Sequence, residues 1–293
     1  MSQIFTNPVY DLFIKLRGVP VDIYVNGVIV YQREVLRGVS FYLPKNELLV
    51  KGRNALNIVL KKTDANLPND YYVEVELHVK QAKLGGEGRI KLMELKDESG
   101  RFEEGLIGGL VSTEAGLRLG EPAEIITEKT VIQDKDDFLS YKREFSLPDY
   151  GFMPSWTSAE NLLMNDSHQL HTDLYQLYGR LWNLFNDRNL PSVKHALDIK
   201  TSDVARAYYL DKNDVWSNSF RIEKLLLNRD VEVGELVPVE QTRVQIGAGG
   251  RMAKLIDVNI NDEVIYFRNN VTREESSYEF WFGKISGQWA IVR

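Results

Sequence analysis

Apolar residues in the first half of the chain alternate with polar ones. In "VDIYVNGVIVYQREV", Val21, Ile23 and Val25 fall on one side and Asp22, Tyr24 and Asn26 on the other, the period of a half-buried strand. Asn26-Gly27 predicts a two-residue hairpin, because both residue types tolerate the positive φ of a type I′ turn. Lys51-Gly52-Arg53-Asn54 predicts a further turn between the apolar runs Leu48–Val50 and Leu56–Leu60. Strand patterns return at Tyr71–Gln81, Arg89–Lys96, Glu124–Gln133 and Ser140–Pro148. Short strands separated by turn signals predict an all-β antiparallel sandwich. The glycine-bearing stretch of residues 100–120 predicts a surface loop or hairpin that packs on a partner domain or subunit. Its Gly108-Gly109 pair lacks the spacing and the Lys-Ser/Thr of a phosphate-binding loop.

The rhythm changes after "LPDYGFMP", whose prolines and glycine mark a linker. Leu170, Leu174, Leu177, Leu181, Leu184 and Phe185 then recur at helical spacing, which predicts a long amphipathic helix over His168–Phe185 begun by Asp166 or Ser167. Thr157 and Glu160 match a capping box for a short helix before it. Further helices are expected at "PSVKHALDI", at "TSDVARAYYL" with Thr201 or Ser202 as its cap, and at "DVWSNSFRIEKLLLN", where Val215, Ser219, Ile222, Leu225 and Leu226 share a face. Beyond Asn228 the period returns to two, in "VEVGELVPVEQ", "TRVQIG", "MAKLIDVNI", "EVIYFRN", "SYEFWFGKI" and "QWAIVR", with turns at Gly247–Gly250 and Asn259–Asp262. The expected organisation is a β-sandwich domain over residues 1–148, a linker at 149–157 and an α+β domain over 158–293.

Composition narrows the function more by exclusion than by pointing. The 293 residues carry a net charge of −6, −3 in residues 1–150 and −3 in 151–293, so neither half has the basic excess that phosphate neutralisation needs. Nucleic acid is therefore not the expected partner. There is no cysteine, which removes disulfides, thiolate metal sites and cysteine nucleophiles. No apolar run approaches a membrane span, and the first residues lack the pattern of a secretory signal, so a soluble, cytoplasmic protein is expected.

Two resemblances follow from the quoted residues. "IYVNGVIV … FYLPKNELLVKGRNALNIVL", over Ile23–Lys62, resembles the jelly-roll, sugar-binding-like domains found beside glycosidases. That family's sugar contacts lie on variable loops, so no binding residue is carried over. "LYQLYGRLWNLFNDRNLPSVKHAL" and the ending "EFWFGKISGQWAIVR" resemble the nuclear-transport-factor-2-like (SnoaL-like) cone, in which a long helix packs on a curved antiparallel sheet. The chain departs from that family in lacking a strand between Leu197 and Val215. The resemblance implies a pocket between helix and sheet. The expected lining is Tyr175, Tyr178, Trp182, Tyr208, Trp216, Arg243, Tyr266 and Trp281, with Tyr209 a further candidate. Aromatic stripes at these spacings also suit a plain core.

His168 and His171 lie one helical turn apart, near Asp166 and Asp173, but a third ligand is missing and no metal or other cofactor is expected. Asp257 and Glu279 sit in strands whose facing the alternation leaves open, and no serine or threonine occupies a nucleophile elbow. The residues weigh toward a non-catalytic protein-binding protein, an immunity-type inhibitor or assembly factor, with a basic partner suited to the acidic surface. Dimerisation through the open sheet face is a further use the resemblance implies. The alternatives are an isomerase, hydratase or hydrolase acting in the cone, and carbohydrate recognition by the sandwich.

Overall fold

The computed structural model describes residues 4–34, 37–63, 66–68, 70–82, 87–96, 109–113, 116–120, 131–147 and 149–293. It is a mixed α and β protein whose sheets are antiparallel. Backbone proximity groups it into two compact units, Met1–Pro154 with Ala207–Tyr209, and Ser155–Arg206 with Leu210–Arg293.

In the first unit the strands are β1 (Ile4–Phe5), β2 (Pro8–Arg17), β3 (Val21–Val25), β4 (Val28–Arg33), β5 (Val39–Pro44), β6 (Gly52–Lys61), β7 (Tyr72–Gln81), β8 (Glu87–Lys96), β9 (Gly109–Thr113), β10 (Gly116–Gly120), β11 (Val131–Asp134) and β12 (Phe138–Leu147). They form sheets ordered β11-β12-β6-β3-β4, β5-β2-β7-β8 and β1-β10-β9. Alternation sets the facing: Val21, Ile23 and Val25 on β3 and Leu12, Ile14 and Leu16 on β2 are buried. The Asn26-Gly27 hairpin forms, with φ of 51° and 77°. Asn26 also anchors its surroundings, donating to Leu48 O (2.8 Å) and accepting from Ala55 N (2.8 Å).

The expected turn is present at Lys51-Gly52, where Gly52 has φ 82° and the Asn54 side chain accepts from Val50 N and donates to Val50 O across the bend; β6 already begins at Gly52, and a separate 3₁₀ turn precedes it at Asn46–Leu48. Of the glycine-bearing stretch, β9 and β10 pair as a hairpin. Gly105, Leu106, Ile107 and Gly108 lie outside the described residues, as does the 124–130 part of the strand expected at Glu124–Gln133. In the stretch read as a linker, Tyr150 and Phe152 are buried in the first unit, and the Tyr150 hydroxyl donates to Leu49 O (2.6 Å).

In the second unit α1 (Ser167–Asn186) is capped by Asp166, whose side chain accepts from Gln169 N at 2.8 Å. Its apolar stripe, Leu170, Leu174, Tyr178, Leu181 and Phe185, is buried. Helices α2 (Leu190–Ala196) and α3 (Asp198–Tyr208) follow. The strands are β13 (Val231–Val233), β14 (Thr242–Gly247), β15 (Met252–Asp257), β16 (Asp262–Glu263), β17 (Tyr266–Asn269), β18 (Glu275–Ser277), β19 (Phe282–Ile285) and β20 (Gln288–Ile291). One sheet is ordered β14-β15-β19-β20 with β16 on β15, the other β13-β17-β18. Helix α1 lies against β13, β14 and β15.

Three helical expectations are corrected. The capping box at Thr157 and Glu160 gives way to 3₁₀ turns at Ser155–Ser158 and Leu162–Met164, the second capped by Asn161. Glu160 is drawn instead to the end of the β19–β20 hairpin, where its carboxylate accepts from Gly287 N (2.8 Å). Thr201 and Ser202 do not cap α3. The helix starts at Asp198, and both hydroxyls donate back to carbonyls four residues earlier, Leu197 O and Asp198 O. The helix expected over residues 214–228 breaks into a π-helical turn at Val215–Phe220 and a short helix at Ile222–Leu227, separated by Arg221 at φ 56°. Ser219 therefore leaves the apolar face and is exposed.

The strand patterns are also shorter than the sequence suggests. "VEVGELVPVEQ" yields only β13, whose pairing with β17 runs on to Gly234 N donating to Tyr266 O (2.9 Å), and then a 3₁₀ turn at Val239–Gln241 after Pro238. "EVIYFRN" divides into β16 and β17, and in "SYEFWFGKI" Ser277 ends β18 and β19 begins only at Phe282.

Candidate functional site

Several of the residues expected to line a cone pocket are packed in the interior. Tyr178 is fully buried in the apolar cluster between α1 and the strands. Its hydroxyl donates to Phe280 O (2.8 Å) and accepts from Leu255 N (3.4 Å), tying helix to sheet. Burial, reinforced by the negative charge of Glu263, holds that hydroxyl well above its ordinary titration range. Trp182 donates its indole N–H to Gly234 O (2.7 Å), and the Tyr175 hydroxyl donates to Val237 O (3.2 Å). Trp216 is buried in the same cluster. Together with Phe185, Phe280 and Phe282 these rings fill the interior as packing. Tyr208 groups with the first unit, where its hydroxyl donates to Glu47 (2.6 Å) and accepts from Asn46 N (2.9 Å). Tyr209 falls in the same group, with its hydroxyl donating to Tyr150 O (3.3 Å). Arg243 is exposed and donates to Asn261 Oδ1 (2.8 Å).

Nor do the two histidines gather ligands. His171 Nε2 lies 2.8 Å from Thr242 Oγ1, and that hydroxyl donates to Val239 O (2.8 Å). His171 must therefore supply the proton, which removes Nε2 as a metal donor. Among the described residues no group of three His, Cys, Asp or Glu is placed to hold a metal. No helix among them is long and apolar enough to cross a membrane.

The second unit carries a surface cleft of about 410 Å³, between the segment Glu235–Gln241, the β15–β16 turn and the edge strand β18. Five carboxylates line it, those of Glu235, Asp257, Asp262, Glu263 and Glu275, against one guanidinium, that of Arg268. Arg268 is already neutralised, since its Nε and Nη2 both donate to Glu275 Oε1 (2.8 and 2.5 Å). Of the residues expected in a pocket, only Tyr266 and the undetermined strand residue Asp257 line this cleft. Tyr266 lies flat against Gly234, where an added Cβ would stand 2.1 Å from the ring. Leu236, Val237 and Pro238 form an apolar wall.

Behind the cleft runs a buried ionic chain that the sequence pattern does not reveal. Lys254, on β15, is 4% exposed, and its ammonium pairs with Glu263 Oε1 and, at 3.0 Å, with Glu279 Oε1. The ammonium also lies 5.2 Å from the centre of the Trp281 ring, which is fully buried. Glu279 Oε2 accepts from Arg293, whose backbone carbonyl in turn accepts from Trp281 N. Burial, only partly offset by Lys254 and reinforced by Glu279, pushes the Glu263 carboxyl up to about 7. For Glu279 the balance is opposite: burial raises it, but Arg293 and Lys254 outweigh burial and hold it down to about 2. Glu263 Oε2 has no hydrogen-bond partner. The only signal available in sequence was a lysine at the centre of the otherwise apolar "MAKLI".

No protein-family model, curated protein or solved structure matches this chain.

A second depression, of about 520 Å³, lies on the first unit beside Lys15, Arg17, Tyr72 and Glu94. Its charges are matched at close range. Arg17 pairs with Asp70 (2.7 Å), Lys15 sits 5.2 Å from the Tyr72 ring centre, and Glu94 pairs with Lys91 (2.6 Å). It carries no net field comparable with that of the acidic cleft.

Proposed function

We propose that this chain is a non-catalytic protein-binding protein, of the immunity or assembly-factor kind, that works by occupying a partner's surface. The observation that carries this reading is the contrast inside the second unit. The space between α1 and the strands is filled by Tyr178, Trp216, Phe280 and Phe282, whereas the acidic cleft is open on the surface. Small-molecule turnover in a cone needs an enclosed, reachable acid or base. The cleft carboxyl best tuned for proton transfer, Glu263, has one oxygen held by Lys254 and the other buried from solvent. An open cleft of one charge instead favours fast, steered association with an oppositely charged surface.

The cone reading of the second unit draws support from the long helix α1 set against β13, β14 and β15 and from the closing β19–β20 hairpin. Carbohydrate recognition by the first unit rests on the resemblance of Ile23–Lys62 alone. The test is affinity purification from the native host under low-salt conditions, followed by light scattering. A stoichiometric complex with a second protein is expected. Recovery of the chain alone, or only as a homodimer, contradicts the reading.

A further inference from the structure

We propose that the acidic cleft is the docking site for an extended segment of a protein partner that carries cationic side chains flanked by aliphatic ones. This rests on the protein-binding reading above and adds the chemistry of the segment and the residues that hold it. Three observations converge on it.

The first is charge. Glu235, Asp257 and Asp262 face the cleft with no cation of the chain paired to them there, since Arg268 is bound to Glu275. The second is the floor. Glu263 is 8% exposed and lines the cleft; Lys254 holds its Oε1, and its buried Oε2 has no hydrogen-bond partner. The third is the rim. Val239, Val258 and Ile260 are 38%, 47% and 68% exposed, an aliphatic margin beside the carboxylates. The margin is built rather than ragged: Val258 N donates to Gln241 O (2.9 Å) and Asn259 Nδ2 to Gln241 Oε1 (3.1 Å).

A guanidinium or ammonium entering the cavity meets several carboxylates at once, and its neighbours two residues along an extended backbone, about 7 Å away, reach the rim. Such a segment matches both surfaces. A polyamine would match only the acidic one, a purely apolar segment only the aliphatic one, and an anionic segment neither.

The test uses the full chain and a fluorescein-labelled peptide, Gly-Arg-Ser-Ile-Ser-Arg-Ser-Ile-Gly, followed by fluorescence polarisation at pH 8 in about 50 mM and about 300 mM salt. Saturable binding that weakens with salt is expected, with no binding of a peptide in which glutamate replaces arginine. Glu235→Arg should weaken binding by about fivefold or more and Ile260→Ser by about threefold. Both residues are exposed, so an unchanged melting curve certifies the fold of each variant. No saturation by the peptide, indifference to Glu235→Arg, or equal competition by spermidine that ignores Ile260→Ser would each overturn the proposal. The two readings separate cleanly: a host complex that the peptide cannot displace leaves protein binding standing and removes the cleft from it. Peptide binding without any host complex does the reverse.

Discussion

Replacing Lys254 by methionine tests the buried ionic chain most directly. Among the described residues Lys254 is the only cation paired with Glu263, and both side chains are almost entirely buried. Removing one member of a buried pair leaves the other charge uncompensated, at a cost of about 3–5 kcal/mol. The loss should depend on pH in a direction fixed by Glu263. Its carboxyl is raised from 4.5 to about 7 in the folded protein, so the folded state holds a proton that the unfolded chain releases. Stability contributed by this group is present below about 4.5 and falls as pH rises to about 7, by about 3 kcal/mol at 1.4 kcal/mol per tenfold. Without Lys254 the carboxyl rises further, so the folded variant keeps Glu263 neutral at pH 5.5 but strains to ionise it at pH 8. Urea unfolding should therefore show Lys254→Met costing about 3–5 kcal/mol at pH 8 and about 1.4 kcal/mol less at pH 5.5, where Glu263 is protonated with and without Lys254. Lys254→Met with Glu263→Leu should recover most of the pH 8 loss, since no buried charge is left alone. A cost below about 1 kcal/mol at pH 8, or one equal at both pH values, would refute the reasoning.

Glu279 supplies the opposite slope. Held down to about 2, it contributes stability present above about 4.5 and lost as pH falls toward 2, and Glu279→Gln should flatten acid unfolding followed by circular dichroism between those limits. Tyr178→Phe removes a hydroxyl that serves both Phe280 O and Leu255 N, and should cost about 1–3 kcal/mol in urea unfolding with α1 still formed. Gly234→Ala drives a methyl into the Tyr266 ring and should cost about 1–3 kcal/mol while displacing that ring from the cleft wall, read as a changed tyrosine signal by NMR. Zinc or nickel should leave the melting temperature unchanged, because His171 Nε2 is engaged with Thr242; a rise of several degrees would restore the histidine-pair metal site.

The parts of the fold that were legible in sequence are those decided by local period. Val21, Ile23 and Val25 alternate and are buried, and the leucines of α1 recur every three or four residues and face the strands. Local signals failed where a distant partner outbid them. Glu160 had the spacing of a capping box but is bound by the backbone of Gly287. Thr201 and Ser202 had the chemistry of caps, yet Asp198 begins the helix earlier and turns both into interior residues. The break at Arg221 follows a π-helical turn that no periodicity announces.

The cleft was illegible for the same reason, and its charge balance follows from the way the chain closes. Alternation on β15 puts Met252, Lys254 and Ile256 on one face, with a lysine between two apolar residues. In the structure that face is covered: Glu263 arrives from the pairing of β16 with β15, and Trp281 and Arg293 arrive from the end of the chain. The covering draws Lys254 inward, behind Glu263, and draws Arg293 onto Glu279. Two of the unit's cations are thereby consumed by Glu263 and Glu279, while Glu235, Asp257 and Asp262 remain at the surface of the cleft. A Lys254→Met, Glu263→Leu variant removes one charge of each sign and so leaves the net charge of the chain unaltered, while removing the carboxylate at the cleft floor. If the floor carboxylate contributes to the field, this variant should bind the arginine peptide less tightly than the native chain at equal stability. If only the rim carboxylates matter, its affinity should equal the native value, and Glu263 would then belong to the fold alone.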